Sequence, residues 1–137
     1  TLTTFDQFLG VGYWNDIGTQ MKLEQGASPT SLSHKAIYTF SIDKNALYKL
    51  TLSNENIVLT ATGTARPGLA SYNQYYNFST YDSDNDAYGG NCSTSYGAQA
   101  WWYGSCWDGS FWAYGTSDSP RWATTLESFS WGGMWIK

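Results

Sequence analysis

The pattern of apolar and polar positions is sharpest in the first half of the chain. Residues 36–42 place Ala36, Tyr38, Phe40 and Ile42 on one side and Ile37, Thr39 and Ser41 on the other, a period of two that predicts a strand. Asp43, Lys44 and Asn45 then read as a hairpin turn. Alternation resumes over residues 46–52 with Tyr48, Leu50 and Leu52 on one side, and residues 57–61 form a third short run. Upstream, Trp14, Ile17 and Met21 stand at helical spacing and predict a short amphipathic helix over 13–23, followed by a loop over 26–33. Near the end, residues 128–136 predict a strand carrying Phe129, Trp131 and Ile136. Together these predict an α+β fold: a small antiparallel sheet with one buried face and little helix.

Between residues 61 and 128 the periodicity disappears. Residues 63–76 read as a loop marked by Arg66-Pro67-Gly68, and Asp108-Gly109 marks a turn further on. Trp112 and Tyr114 are expected in the core. A region this irregular needs staples other than secondary structure.

Composition narrows the class. The chain of 137 residues is expected to form one domain. Aromatic residues make up 18% of it and charged residues 13%, which points to aromatic side chains on a binding face. A net charge of −4 excludes a basic nucleic-acid footprint, and no run is long enough for a membrane-spanning helix. The polar opening at Thr1 predicts a mature, secreted form. His34 is the single histidine, expected at the surface, and no Ser-His-Asp or Cys-His set accompanies it, so no enzyme is expected.

The chemistry is concentrated in residues 78–107. Asp82, Asp84 and Asp86 alternate, and Tyr88, Gly89 and Gly90 follow. Alternate carboxylates on a curled loop suit a hard cation such as Ca²⁺, which takes oxygen ligands including backbone carbonyls. A solvated acidic turn explains the same spacing. An EF-hand does not: its sixth position would be Ala87 and its twelfth Ser93. Cys92 and Cys106 lack zinc spacing and read either as one disulfide in a secreted protein or as two buried thiols. Asn77 and Asn91 each head a glycosylation triplet.

The phrase Phe78-Ser79-Thr80-Tyr81-Asp82-Ser83-Asp84-Asn85-Asp86, then Gly90-Asn91-Cys92, then Trp101-Trp102-Tyr103-Gly104-Ser105-Cys106, resembles the C-terminal part of fibrinogen-related domains, the family of fibrinogen globules, ficolins and tachylectin-like lectins. The resemblance implies that the N-terminal part of such a domain, with its own disulfide, is reduced or missing here. The resemblance implies Ca²⁺ held by the side chains of Asp84 and Asp86 and the carbonyls of Tyr88 and Gly90, with Asp82 in support. It implies a Cys92–Cys106 disulfide and a cis Ser105–Cys106 peptide. It implies an acetyl-binding pocket with Tyr96 as one wall, beside Ser105, Cys106 and Trp107, with Tyr103 and Phe129 as further walls. Fibrinogen's peptide-binding pocket has an aspartate where Tyr96 stands, and the family commonly has histidine where Trp107 stands. The resemblance therefore implies a secreted, extracellular, calcium-dependent lectin for N-acetylated sugars (N-acetylglucosamine, N-acetylgalactosamine or sialic acid) acting in innate recognition. Its partners would be acetylated glycans or sialylated glycoconjugates. A protein- or peptide-binding module without lectin activity is the alternative. Any homo-oligomer would form through the globular domain itself.

Overall fold

The computed structural model describes residues 10–59, 70, 73–106 and 129–137. Four antiparallel strands form one sheet in the order β3-β2-β1-β4, where β1 is Gln20–Ser28, β2 Ser31–Asp43, β3 Lys49–Leu59 and β4 Trp131–Ile136. Among the described residues the helical elements are a 3₁₀ turn Val11–Tyr13, α1 Trp14–Ile17 and α2 Cys92–Ser95. This is the α+β architecture that the periodicity predicts.

The alternation in β2 decides which face is buried. His34, Ala36, Tyr38, Phe40 and Ile42 all point inward and are buried. Met21 and Leu23 of β1 join them, as do Leu50 and Leu52 of β3, with Met134 and Ile136 of β4 packed against the cluster. On the other face, Trp131 and Trp135 fold over Gly133, where a Cβ would come within 2.1 Å of the Trp135 ring. Lys22 lies 4.1 Å from the Trp135 ring centroid and shares Glu24 with Lys35. Trp131 is thus on the opposite face from Ile136, not beside it.

Four expectations are corrected. The helix over 13–23 ends at Ile17, because Met21 and Leu23 are taken by β1 and buried at alternate positions. The loop over 26–33 shrinks to a tight turn at Pro29-Thr30, with Gly26 so close to Ser31 that a Cβ would sit 2.2 Å from its carbonyl oxygen. Residues 49–52 and 57–59 of the two expected runs belong to one strand, β3, and Tyr48 precedes it, partly exposed. His34 is completely buried, edge-on against Phe129 at 5.2 Å. Trp112 and Tyr114 lie outside the described residues.

The irregular half is fastened to the sheet through aromatic rings. Trp102 packs edge-on against Trp14, Phe78 and Trp101 at centroid distances of 5.6, 5.0 and 5.2 Å. Trp14 in turn meets Phe40 of β2 at 6.3 Å. Such pairs add about 1 kcal/mol each to the burial of the rings themselves. The Trp102 indole N–H donates to the Tyr48 carbonyl at 2.8 Å, and the Asn73 side chain donates to the Trp102 carbonyl at 3.0 Å.

Candidate functional site

The acidic loop begins where Ser79 forms a two-bond antiparallel bridge with Trp101 (2.9 and 3.0 Å). From this anchor the chain folds back on itself through local side-chain bonds, as Asp, Asn and Thr favour. Thr80 and Ser83 exchange backbone bonds, and the Thr80 hydroxyl donates to Asp82 Oδ1 at 2.6 Å. The Asn85 backbone N–H donates to Ser79 Oγ at 3.0 Å. Asp84 Oδ1 accepts the Asp86 N–H at 3.4 Å, and Asp86 Oδ1 accepts the Tyr88 N–H at 2.8 Å. Asp84 and Asp86 thus each accept from the backbone N–H two residues on, while Asp82 accepts from Thr80 two residues before it, and these bonds curl the loop.

Two bonds join this loop to the cysteines. Asp86 Oδ2 accepts the Cys92 N–H at 2.9 Å, and the Ala87 N–H donates to the Gly104 carbonyl at 3.0 Å. Cys92 and Cys106 form a disulfide, closing a separation of 14 residues. In the loop-entropy account that closure stabilises by roughly 3 kcal/mol. Asn91 caps α2 by accepting the Thr94 N–H at 2.9 Å and donates to the Thr80 carbonyl at 3.1 Å. Its amide is therefore spent on the fold, which argues against Asn91 as a glycan acceptor.

The expectation of a cis Ser105–Cys106 peptide is corrected. No described peptide bond is cis. The chain turns here through Cys106 itself, at φ 71°. A left-handed residue costs about 1–2 kcal/mol, less than the ~3 kcal/mol of a cis non-proline bond.

Beside the disulfide, Tyr96 and Tyr103 stack with centroids 6.1 Å apart and planes at 20°. Tyr103 is buried and donates its hydroxyl to the Gln99 carbonyl at 3.0 Å; Tyr96 is half-buried. Burial, followed by the charges of Tyr96 and Asp86, pushes the Tyr103 phenol well above its usual range, so it stays protonated. Ser105 is exposed next to the pair. Tyr76 closes on Gly104 from the other side; a Cβ there would fall 2.7 Å from its ring. Tyr76 carries no sequence signal, because only the missing side chain of Gly104 admits it. Of the expected pocket walls, Tyr96 and Tyr103 are together. Phe129 packs edge-on against His34 and belongs to the same buried cluster as Tyr103 and Cys106. Trp107 lies outside the described residues.

The loop's donor set suits a hard cation in kind. None of Asp82, Asp84 and Asp86 is paired with a lysine or arginine among the described residues. The carbonyls of Tyr88 and Gly90 accept no hydrogen bond from any described residue. No group of three His, Cys, Asp or Glu side chains converges among the described residues, so a cation here would depend on main-chain oxygens as well as carboxylates.

Comparison with known proteins places the geometry. The chain is 44% identical over 68 residues to fibrinogen-like protein A of Apostichopus parvimensis, covering 45% of this chain and 24% of that protein. It is 45% identical over 64 residues to tenascin-R of Rattus norvegicus, covering 47% of this chain and 4% of that one. Among solved structures it resembles the fibrinogen-like globe domain of human ANGPTL6, with TM-score 0.69 and 25% identity over 93% of this chain and 61% of that one. It also resembles the lamprey fibrin D-dimer complexed with Gly-His-Arg-Pro-amide, with TM-score 0.58 and 19% identity over 84% of this chain and 44% of that one, a likeness of fold alone. The chain thus spans less than two thirds of each of these relatives. The family described as the C-terminal globular domain of fibrinogen beta and gamma chains matches residues 11–137, and the chain belongs to it.

Proposed function

We propose that the chain is an extracellular, non-catalytic lectin domain in which the Tyr96 face holds an N-acetylated sugar, as in innate recognition. The observation that carries this reading is the half-buried Tyr96 ring stacked on the buried Tyr103, beside the Cys92–Cys106 disulfide. A fixed aromatic face takes the acetyl methyl by apolar contact, and the second ring behind it prevents the first from collapsing. Backbone groups around Ser105 and Cys106 are the nearest polar partners for the acetyl oxygen.

Calcium fits the same reading as a structural ion. Asp84 and Asp86 would hold it with the carbonyls of Tyr88 and Gly90, and it would supply positive charge beside three carboxylates that have no lysine or arginine partner among the described residues. Asp86 then has two tasks, because its carboxylate also fastens Cys92.

Domains of this family are generally binding modules rather than enzymes, and they are typically extracellular. No helix among the described residues is long and apolar enough to cross a membrane. The single histidine is buried edge-on against Phe129, which supports a role without acid–base chemistry.

A peptide- or protein-binding role is the second reading. It is favoured by the likeness to the fibrinogen-like globe domain of human ANGPTL6. Calorimetric titration separates the two. N-acetylglucosamine or sialic acid should bind the parent, and Tyr96→Ala should weaken that binding at least ten-fold, about 1.4 kcal/mol. Binding of Gly-His-Arg-Pro-amide with silence toward both sugars would establish the second reading instead.

A further inference from the structure

The end of the β2–β3 hairpin sets its backbone against its side chains. The Lys49 N–H bonds to the Ala46 carbonyl at 3.1 Å, leaving Leu47 and Tyr48 as the two central residues at φ 52° and 54°. A turn with both central residues left-handed is ordinarily built from Asn and Gly, which reach that region at least cost. Here it is imposed from outside. The Phe78 N–H donates to the Leu47 carbonyl at 3.0 Å, and the Trp102 indole donates to the Tyr48 carbonyl at 2.8 Å. Both bonds use main-chain carbonyls, which any residue supplies. The side chains are left outside, with Leu47 53% and Tyr48 41% exposed. Asn-Gly would offer the same two carbonyls without the strain, so the fold does not require Leu and Tyr there.

The same hairpin end gathers more exposed rings. Tyr75, at φ 68° and 63% exposed, and Tyr76 are tied to Leu50 by two backbone bonds of 2.6 and 3.2 Å. The Tyr48 ring edge lies 3.4 Å from where a Cβ on Gly12 would stand, and the neighbouring Tyr13 lies under the Lys44 ammonium at 5.8 Å. Lys44 is matched by Asp16 at 3.4 Å, and Asp43 faces Lys49 across the hairpin, so the charges around the patch cancel. Strain spent on holding apolar side chains in solvent points to a partner for them.

We propose that this face, built on Leu47, Tyr48 and Tyr75 with Tyr13 and Tyr76 at its margins, binds an uncharged oligosaccharide. Side chains at these exposures present about 500 Å², at the upper end for a monomer's largest apolar patch. That is short of the ~800 Å² each partner of a stable protein pair covers, which disfavours a second copy or a globular partner. A sugar of two or three rings matches the size, and the cancelled charges match a neutral ligand. Tyrosine faces accept the C–H side of a pyranose while their hydroxyls meet its hydroxyls. Rings already held in place lose little freedom on binding. The proposal goes beyond the Tyr96 site and does not rest on it.

The test is the double variant Leu47→Asn/Tyr48→Gly of the whole chain, screened against non-acetylated gluco-, manno- and galacto-oligosaccharides. The variant should melt about 3 °C or more above the parent, because the turn loses its strain. It should bind the sugars that the parent selects at least ten-fold more weakly, while Tyr96→Ala binds them as the parent does. A lower melting temperature would show that Leu47 and Tyr48 serve packing, and unchanged sugar binding would show that the face is not a sugar site; either overturns the proposal. So does a parent that binds none of these sugars, including one whose self-association in gel filtration is lost in the variant. The Tyr96 reading is judged separately, on acetylated sugars.

Discussion

Asp86 and Cys92 are joined by a single hydrogen bond on which two parts of the site depend: Asp86 Oδ2 accepts the Cys92 N–H at 2.9 Å while Oδ1 accepts the Tyr88 N–H at 2.8 Å. One carboxylate thus sets both the curl of the acidic loop and the start of α2, from which the disulfide and Tyr96 follow. Among the described residues Asp84 accepts only a long 3.4 Å bond from the Asp86 N–H.

The two aspartates should therefore separate in mutation. Asp86→Ala is expected to destabilise by about 2 kcal/mol or more even in chelator, because it removes two charge-assisted bonds. Asp84→Ala is expected to cost less than about 0.5 kcal/mol in chelator. It should nevertheless lose the added stability that the parent gains as calcium rises above its dissociation constant. Thermal melts of both variants with calcium and with chelator check this. Equal melting of the parent in the two conditions would make the loop an acidic turn and nothing more.

Gly104 is expected to tolerate no side chain while Tyr76 is in place. Gly104→Ala puts a Cβ 2.7 Å from the Tyr76 ring and should cost about 1–3 kcal/mol, as overpacking does. Adding Tyr76→Ala should return part of that loss. A double variant no more stable than Gly104→Ala alone would show that the strain lies in the backbone.

Tyr103 gives the protein an alkaline limit. Its phenol is raised in the folded state, chiefly by burial and then by the Tyr96 and Asp86 charges, so the folded chain keeps a proton that the unfolded chain releases. The stability this contributes is complete below the ordinary tyrosine pKa of ~10 and falls as pH rises beyond it. Tyr103→Phe should therefore lose less stability than the parent between about pH 10 and 11.5, measured by denaturant titration. An identical loss in both proteins would remove Tyr103 as the cause.

The sheet is legible in the sequence wherever one face is buried. Ala36, Tyr38, Phe40 and Ile42 alternate because each inward position meets the core, and all four are buried. Tyr48 fits that alternation yet falls outside it, because Trp102, 54 residues away, claims its carbonyl and turns the chain before β3 begins. His34 is read as a surface residue from its polarity. Phe129, two residues before β4, packs edge-on against it instead. The resemblance implies Tyr96 and Tyr103 as pocket walls but not their stacking, and Tyr76 against Gly104 is a contact between loops with no periodicity to announce it. Local pattern reports burial; contacts between distant loops leave no such trace.

The central claim, sugar recognition at the Tyr96 face beside a calcium-held loop, is tested most directly by one glycan array of the parent chain and Tyr96→Ala, each with calcium and with chelator. The account predicts that the parent with calcium binds N-acetylated or sialylated glycans, that chelator weakens this signal, and that Tyr96→Ala removes most of it while keeping its calcium-dependent melting temperature. Acetylated-glycan binding equal in parent and Tyr96→Ala, or none from the calcium-loaded parent, would contradict it.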